Sequence, residues 1–315
     1  MAVIFFYMII LLALIHENEI VFKGAADGLM LWFNNVIPLL LPFMLISALI
    51  VKKINLLPQD KQKNYAVLIT LFTGIFCGYP LGAKNSADFV KCNAYSKETG
   101  NILCPLCNNC SPMFLSGYIV ANVLNKNFSF FNAVFLIYTP YIFYILIVFS
   151  LNKFFKKRKA QGTEKKSDIT NNLKGNDDII LSTIIQITYV GFYIIICSII
   201  SEMIMSFDIS LLYNKLCNTF SLTYSTHTLS LIEIIKTILS GITEITKGTL
   251  IASTSLLFPP RQKTALVLAL SSFGGISAIL QTKNVIKNSG LSIKKYIITK
   301  TICAFTTYGL SLLLL

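Results

Sequence analysis

The sequence predicts an all-α, polytopic integral membrane protein of two inverted repeats, each holding a re-entrant hairpin and a broken helix. Three observations predict it. Hydrophobic residues make up 54% of the 315 and charged residues only 13%, far from the balance of a soluble domain. The apolar runs at 131–151, 179–200 and 296–315 reach the roughly 20 residues that a helix needs to cross a bilayer. Other apolar runs are interrupted by Gly, Pro and Asn, and the interruptions recur in the same order in both halves.

The first run, residues 1–15, has no basic leader and no small-x-small cleavage site before His16, so it reads as a retained first helix, with residues 1–23 as its domain. Lys and Arg then fix the orientation. Net charge is +13, but the basic residues gather in loops between apolar runs, so they report sidedness rather than a nucleic-acid partner. The richest cluster lies in a linker at 153–178 and a second in the loop 52–63; the positive-inside rule puts both in the cytoplasm.

A first repeat at 24–152 follows. The segment 28–51 runs inward and 131–151 also ends inside. Two full crossings between Lys63 and Phe128 would therefore leave the chain on the wrong side, so one of the runs 65–83 and 102–123 is a re-entrant hairpin. The run around Gly74, Gly78, Pro80 and Gly82 is the better candidate, because these residues interrupt helix geometry, and such backbone survives in a membrane only inside protein or lining a cavity.

The second repeat, 179–315, inverts this order. Residues 179–205 leave the cytoplasm; 238–254, with Gly241 and Gly248, form a second hairpin; 266–280 return past Gly274 and Gly275 toward Lys283, Lys287, Lys294 and Lys295; 296–315 go out again. Paired, interrupted segments at matching places in two oppositely oriented halves point to a transporter site near the midplane.

Candidate site residues fall at those interruptions. Lys84 and Asn85 follow the first set of breakers, where a lysine beside a new helix N-terminus favours an anion or snorkels to the cytoplasmic interface. Asn108 and Asn109 precede Ser111-Pro112, and two amides in an apolar crossing need partners from backbone, water or ligand. Glu244, Thr246 and Lys247 lie in the second hairpin; an intramembrane carboxylate is expensive, so Glu244 serves a cation pathway or pairs with Lys247 on one helix face. Gln281 follows the Gly274-Gly275 break and adds an amide that reads a ligand or caps a half-helix.

Cys104, Cys107 and Cys110 repeat at intervals of three. A zinc site wants four ligands, and neither His16 nor His227, the latter in an external segment, supplies a fourth. The thiols read as small packing residues on one helical face, and no metal or cofactor is expected. No G-x-S-x-G, H-E-x-x-H or phosphate loop occurs, so an enzyme is not expected either.

The motifs resemble the YlbJ family of sporulation integral membrane proteins, within the broader group with nucleoside-recognition Gate domains. The resemblance rests on Pro38 to Phe43 (PLLLPF), Gly78 to Lys84 (GYPLGAK), Cys107 to Phe114 (CNNCSPMF), Glu244 to Gly248 (EITKG), and Phe273 to Gly275 followed by Gln281. Cys110-Ser111 stands where the family more often has Ser-Gly. The resemblance implies a fold like concentrative nucleoside transporters and a place in the outer forespore membrane. It also implies transport of dipicolinic acid, a small anionic substrate, with other sporulation membrane proteins or a second copy as partners. A cation-coupled nucleoside carrier and a non-transporting scaffold are the competing expectations.

Overall fold

The computed structural model describes residues 1–125, 128–156, 176–207 and 226–315. Most of the basic linker and the external segment before His227 lie outside the described residues. Among the described residues the chain is all helix: α1 (Ala2–His16), α2 (Asn18–Leu31), α3 (Ile37–Ile54), α4 (Gln59–Cys77), α5 (Leu81–Lys91), α6 (Lys97–Leu106), α7 (Pro112–Val123), α8 (Phe130–Lys156), α9 (Asn176–Ser206), α10 (Thr226–Thr243), α11 (Ile245–Thr254), α12 (Pro260–Phe273), α13 (Gly275–Val285) and α14 (Ile293–Leu314).

Among the described residues four stretches are long and apolar enough to cross a bilayer: Phe130–Val148, Asp177–Ser206, Pro260–Val285 and Ile293–Leu314. The chain is a multi-pass integral membrane protein, and its outward apolar side chains, such as Phe131, Phe143, Leu181 and Phe305, meet lipid. Pro260–Val285 is the innermost span: 72% of it is buried against protein, compared with 28%, 33% and 28% for the other three.

The segment 28–51, expected to run inward, is not a single helix in the structure. Helix starts at Asn18 and runs to Val36, then bends by 55° before Leu40–Ile54 continues. A π-helical turn at Trp32–Val36 and Pro38 at the start of α3 account for the bend, since proline lacks the N–H that would continue the ladder. The part before the bend packs antiparallel on α9. Gly24 and Gly28 lie so close to it that an added Cβ would sit 2.7 Å from the Ile199 Cα and 2.8 Å from the Ile195 Cα. Further along, the Trp32 indole donates to the Ile187 carbonyl at 3.0 Å. Two small residues four apart let membrane helices approach this closely.

The main apolar core joins α7, α8, α11 and α12 through Leu115, Ile119, Ile137, Ala252 and Leu268. A second cluster ties α3, α4, α5, α6, α8 and α14 through Ala66, Phe89, Leu103, Tyr141 and Cys303. Together they frame the helix interruptions.

Candidate solute cavity at the helix breaks

The first interruption separates α4 from α5. Gly78 adopts φ +75°, a left-handed value that other residues rarely take, and the chain turns through Tyr79 and Pro80. The two helices fold back on each other: the Asn85 side-chain amide donates to Thr73 Oγ1 at 2.6 Å, although twelve residues of continuous helix would put them about 18 Å apart. Gly74 on α4 and Gly82 on α5 both press on Cys107; a Cβ at Gly82 would collide with its carbonyl.

Cys107 opens the second interruption, between α6 and α7. Ser111 restarts the helix by accepting the Phe114 N–H at 3.1 Å, with Pro112 in the first helical turn where its missing N–H costs nothing. The Tyr79 N–H donates to the Asn109 carbonyl at 3.1 Å, so the two interruptions are tied by backbone. The three cysteines do not share one helical face: Cys104 lies in α6, Cys107 caps it, and Cys110 sits in the non-helical stretch, where its thiol donates to the Ser271 carbonyl at 3.1 Å. The Asn-Asn-Cys-Ser sequence has already left the helix there, which removes the spacing argument.

In the second half α10 gives way to α11 at the single residue Glu244. Its backbone is extended, and its carboxylate accepts from the Lys247 N–H at 2.8 Å and the Thr246 hydroxyl at 3.2 Å, as an N-cap does. Gly248, expected at the break, lies inside α11 and takes the close approach of Gly241 on α10; Gly82 similarly lies inside α5. The last interruption, between α12 and α13, is made by Gly274 at φ +88° and Gly275 at φ +80°. A Cβ on Gly275 would come within 3.4 Å of the Ile242 carbonyl and the Ile245 N–H, so this break abuts the α10–α11 turn.

Where these interruptions converge lies a half-open cavity of about 110 Å³. Its polar lining comes from Asn35, Tyr79, Ser111, Glu244, Thr246, Ser277 and Gln281; Leu40 of α3 and Val190 and Ile194 of α9 supply much of its apolar wall. No lysine, arginine or histidine is among the described lining residues. Glu244 is 2% exposed, and Gln281 donates to Ser277 Oγ at 3.0 Å, one turn back on α13.

Other residues singled out from the sequence stand behind this cavity. The Asn108 amide donates to Thr282 Oγ1 at 2.8 Å and to the Tyr296 hydroxyl at 2.9 Å, and its oxygen accepts the Ala83 N–H at 3.4 Å. Asn109 donates to the Leu106 carbonyl at 2.7 Å and accepts from Lys300 Nζ at 2.6 Å. Asn85 bonds Ser47 and Thr73. Lys84, rather than snorkelling, is buried beside Asp88, Nζ to Oδ2 3.4 Å.

The expected side-chain pair Glu244–Lys247 is absent. Glu244 turns onto the first turn of α11 as its cap, while the Lys247 ammonium reaches out of the hairpin to Glu202 on α9 and to Asp27 on α2, the latter at 3.2 Å. Lys23 joins Glu202 at 2.7 Å. Sequence reading missed Asp27, Glu202 and Lys300. The signal was present in each case, an ionisable residue within a helical apolar context, but it was weighed only where Gly and Pro drew notice. Among the described residues no three His, Cys, Asp or Glu side chains gather as a metal site.

The chain is similar to "Sporulation integral membrane protein YlbJ" of Bacillus subtilis (strain 168): 22% identical over 336 aligned positions that cover 94% of this chain and 78% of that protein. The similarity supports a remote, family-level relationship. No protein-family profile matches the chain, and no solved structure matches it.

Proposed function

We propose that the protein carries a small anionic metabolite across the membrane by alternating access, and that its cargo is dipicolinic acid crossing the outer forespore membrane during sporulation. The cavity where two hairpin turns meet two helix breaks carries this reading. Irregular backbone at membrane depth is tolerated where it is buried or lines a cavity, and discontinuous helices of two halves meeting at one point form the sites of many carriers.

The recurrence of elements supports two inverted Gate-like repeats at 24–152 and 179–315, separated by the linker 153–178 and preceded by a segment 1–23 that holds α1 and the start of α2. Each half runs hairpin, broken helix, long helix: α4–α5, α6–α7 and α8, then α10–α11, α12–α13 and α14. Asn101 near the start of α6 accepts the Ser292 N–H just before α14 at 2.8 Å, so α6 begins near where α13 ends and the two broken helices run in opposite directions. Lys97, Lys283, Lys287, Lys294 and Lys295 gather at that end, as the positive-inside rule expects of the cytoplasmic face.

Ser111, Glu244, Thr246 and Gln281 are the residues assigned to the solute, with the N–H groups at the starts of α7 and α13 offered to its carboxylates. Lys84, Asn85, Asn108, Asn109 and Lys247 hold the surrounding helices. The sporulation relative supports the cellular setting. The lining itself favours a second reading: a carboxylate and no basic side chain suit a neutral, nucleoside-like solute carried with a cation.

Uptake of labelled dipicolinic acid into proteoliposomes, with nucleosides as competitors, separates the two. Saturable uptake that nucleosides leave unchanged supports the first; cation-dependent nucleoside uptake supports the second. Folded protein that moves neither solute refutes both cargo assignments and shifts weight to another solute, a missing partner or a scaffold for other sporulation membrane proteins.

A further inference from the structure

Lys300 lies eight residues into α14, about 10 Å along its axis, and its side chain is wholly buried, 0% exposed. It does not snorkel. Its ammonium donates to the Asn109 side-chain oxygen at 2.6 Å and to the Asn108 carbonyl at 3.1 Å, both in the stretch that interrupts α6 and α7. Two aromatic faces complete the surroundings, Tyr141 at 5.0 Å and Tyr79 at 5.5 Å from nitrogen to ring centre. Among the described residues no carboxylate lies within ion-pair distance of it.

Every one of these neighbours suits a cation. A carbonyl and an amide oxygen offer lone pairs, ring faces attract positive charge, and the C-terminal end of the half-helix α6, just before the break, carries the negative pole of its dipole. Carbonyls freed where a membrane helix unwinds, together with half-helix C-terminal ends, are the groups with which carriers hold small cations. Burying an ammonium without a carboxylate costs several kcal/mol, and here the break's own oxygens and the two rings offset that cost.

We propose that the break between α6 and α7 is a cation-binding site and that the Lys300 ammonium is its resident cation, so that this break takes up no sodium or other metal ion. The assignment goes beyond the transport reading, and its test needs no transport assay, so the two can fail separately.

Thermal unfolding is measured on the purified full-length protein in sodium, ammonium or N-methylglucamine chloride at equal ionic strength. The wild type is expected to unfold at one temperature in all three salts. Lys300→Ala is expected to be less stable in N-methylglucamine, with part of the loss restored by ammonium or sodium, which reach the vacated oxygens, whereas Lys300→Met loses stability without restoration. Sodium stabilisation over N-methylglucamine at equal ionic strength that persists in Glu244→Gln, and so does not arise at the cavity carboxylate, overturns the proposal even if neither Lys300 variant folds. So does a Lys300→Met protein as stable as the wild type, or a Lys300→Ala protein indifferent to the cation.

Discussion

The two halves of the molecule interrupt their helices at matching places and use the interruptions differently. In the first half the stretch from Cys107 to Ser111 is five residues long, and its amides are consumed by Leu106, Thr282, Tyr296 and Lys300. In the second half a single Glu244 and a Gly274-Gly275 pair do the same work, and Glu244, Thr246 and Gln281 face the cavity. A long polar break needs many partners and becomes a knot in the scaffold; a short one, such as Glu244 with its carboxylate on its own helix end, needs fewer. The first half thus ties the scaffold together, while both halves line the cavity: Asn35, Tyr79 and Ser111 from the first, Glu244, Thr246, Ser277 and Gln281 from the second.

The largest effect that would break this comparison comes from Gly82→Leu. The new Cβ meets the Cys107 carbonyl, and overpacking costs up to about 3 kcal/mol, more in some cases, so the expected outcome is loss of monodisperse protein in detergent; Gly117→Ala, with nothing near its added Cβ, leaves the yield unchanged. Normal folding of Gly82→Leu would remove the knot from the first half. Next comes Asn109→Ala, which takes away the shorter hydrogen bond of a buried ammonium and is expected to lower unfolding free energy by about 1.5–3 kcal/mol in denaturant titration. Gln281→Ala should show the opposite profile: a stability change of about 1 kcal/mol or less, because one neutral hydrogen bond is lost, with solute uptake reduced at least about tenfold, equivalent to 1.4 kcal/mol of transition-state binding. Equal losses of stability at Asn109 and Gln281 would erase the distinction between the halves. The smallest effect belongs to Lys23→Ala: the lysine is mostly exposed and Lys247 remains on Glu202, so the cost is expected below about 1 kcal/mol and to shrink in high salt.

The interruptions were legible in the sequence because Gly, Pro and paired Asn stand out in apolar runs, and the chain does leave its helices at Gly78 to Pro80, Cys107 to Ser111 and Gly274. Spacing misled where tertiary contacts win. Lys247 sits three residues from Glu244, yet its long stem reaches α2 and α9 because the glutamate is drawn to the N–H groups of its own helix end. Gly82 and Gly248 looked like breakers and are points of close helix approach, which depends on what lies opposite them. Lys300 was hidden in a run that reads as a plain crossing, since its partners lie about 190 residues earlier in the chain. The 55° bend before α3 has only Pro38 as its mark in the sequence, and a proline in the first turn of a helix does not by itself signal a bend.

The cysteines of the wild-type chain allow the most direct test that the cavity is the solute path. Cys77 and Cys110 line it, while Cys104 and Cys107 are buried in the scaffold behind it. Reconstituted protein is exposed to a small methanethiosulfonate reagent under transport conditions, with and without dipicolinic acid, and each thiol is scored by mass spectrometry. Modification of Cys77 or Cys110 that the solute suppresses, with Cys104 and Cys107 untouched, is the predicted result. Uptake that proceeds while Cys77 and Cys110 stay as inert as Cys104 and Cys107 would contradict the account.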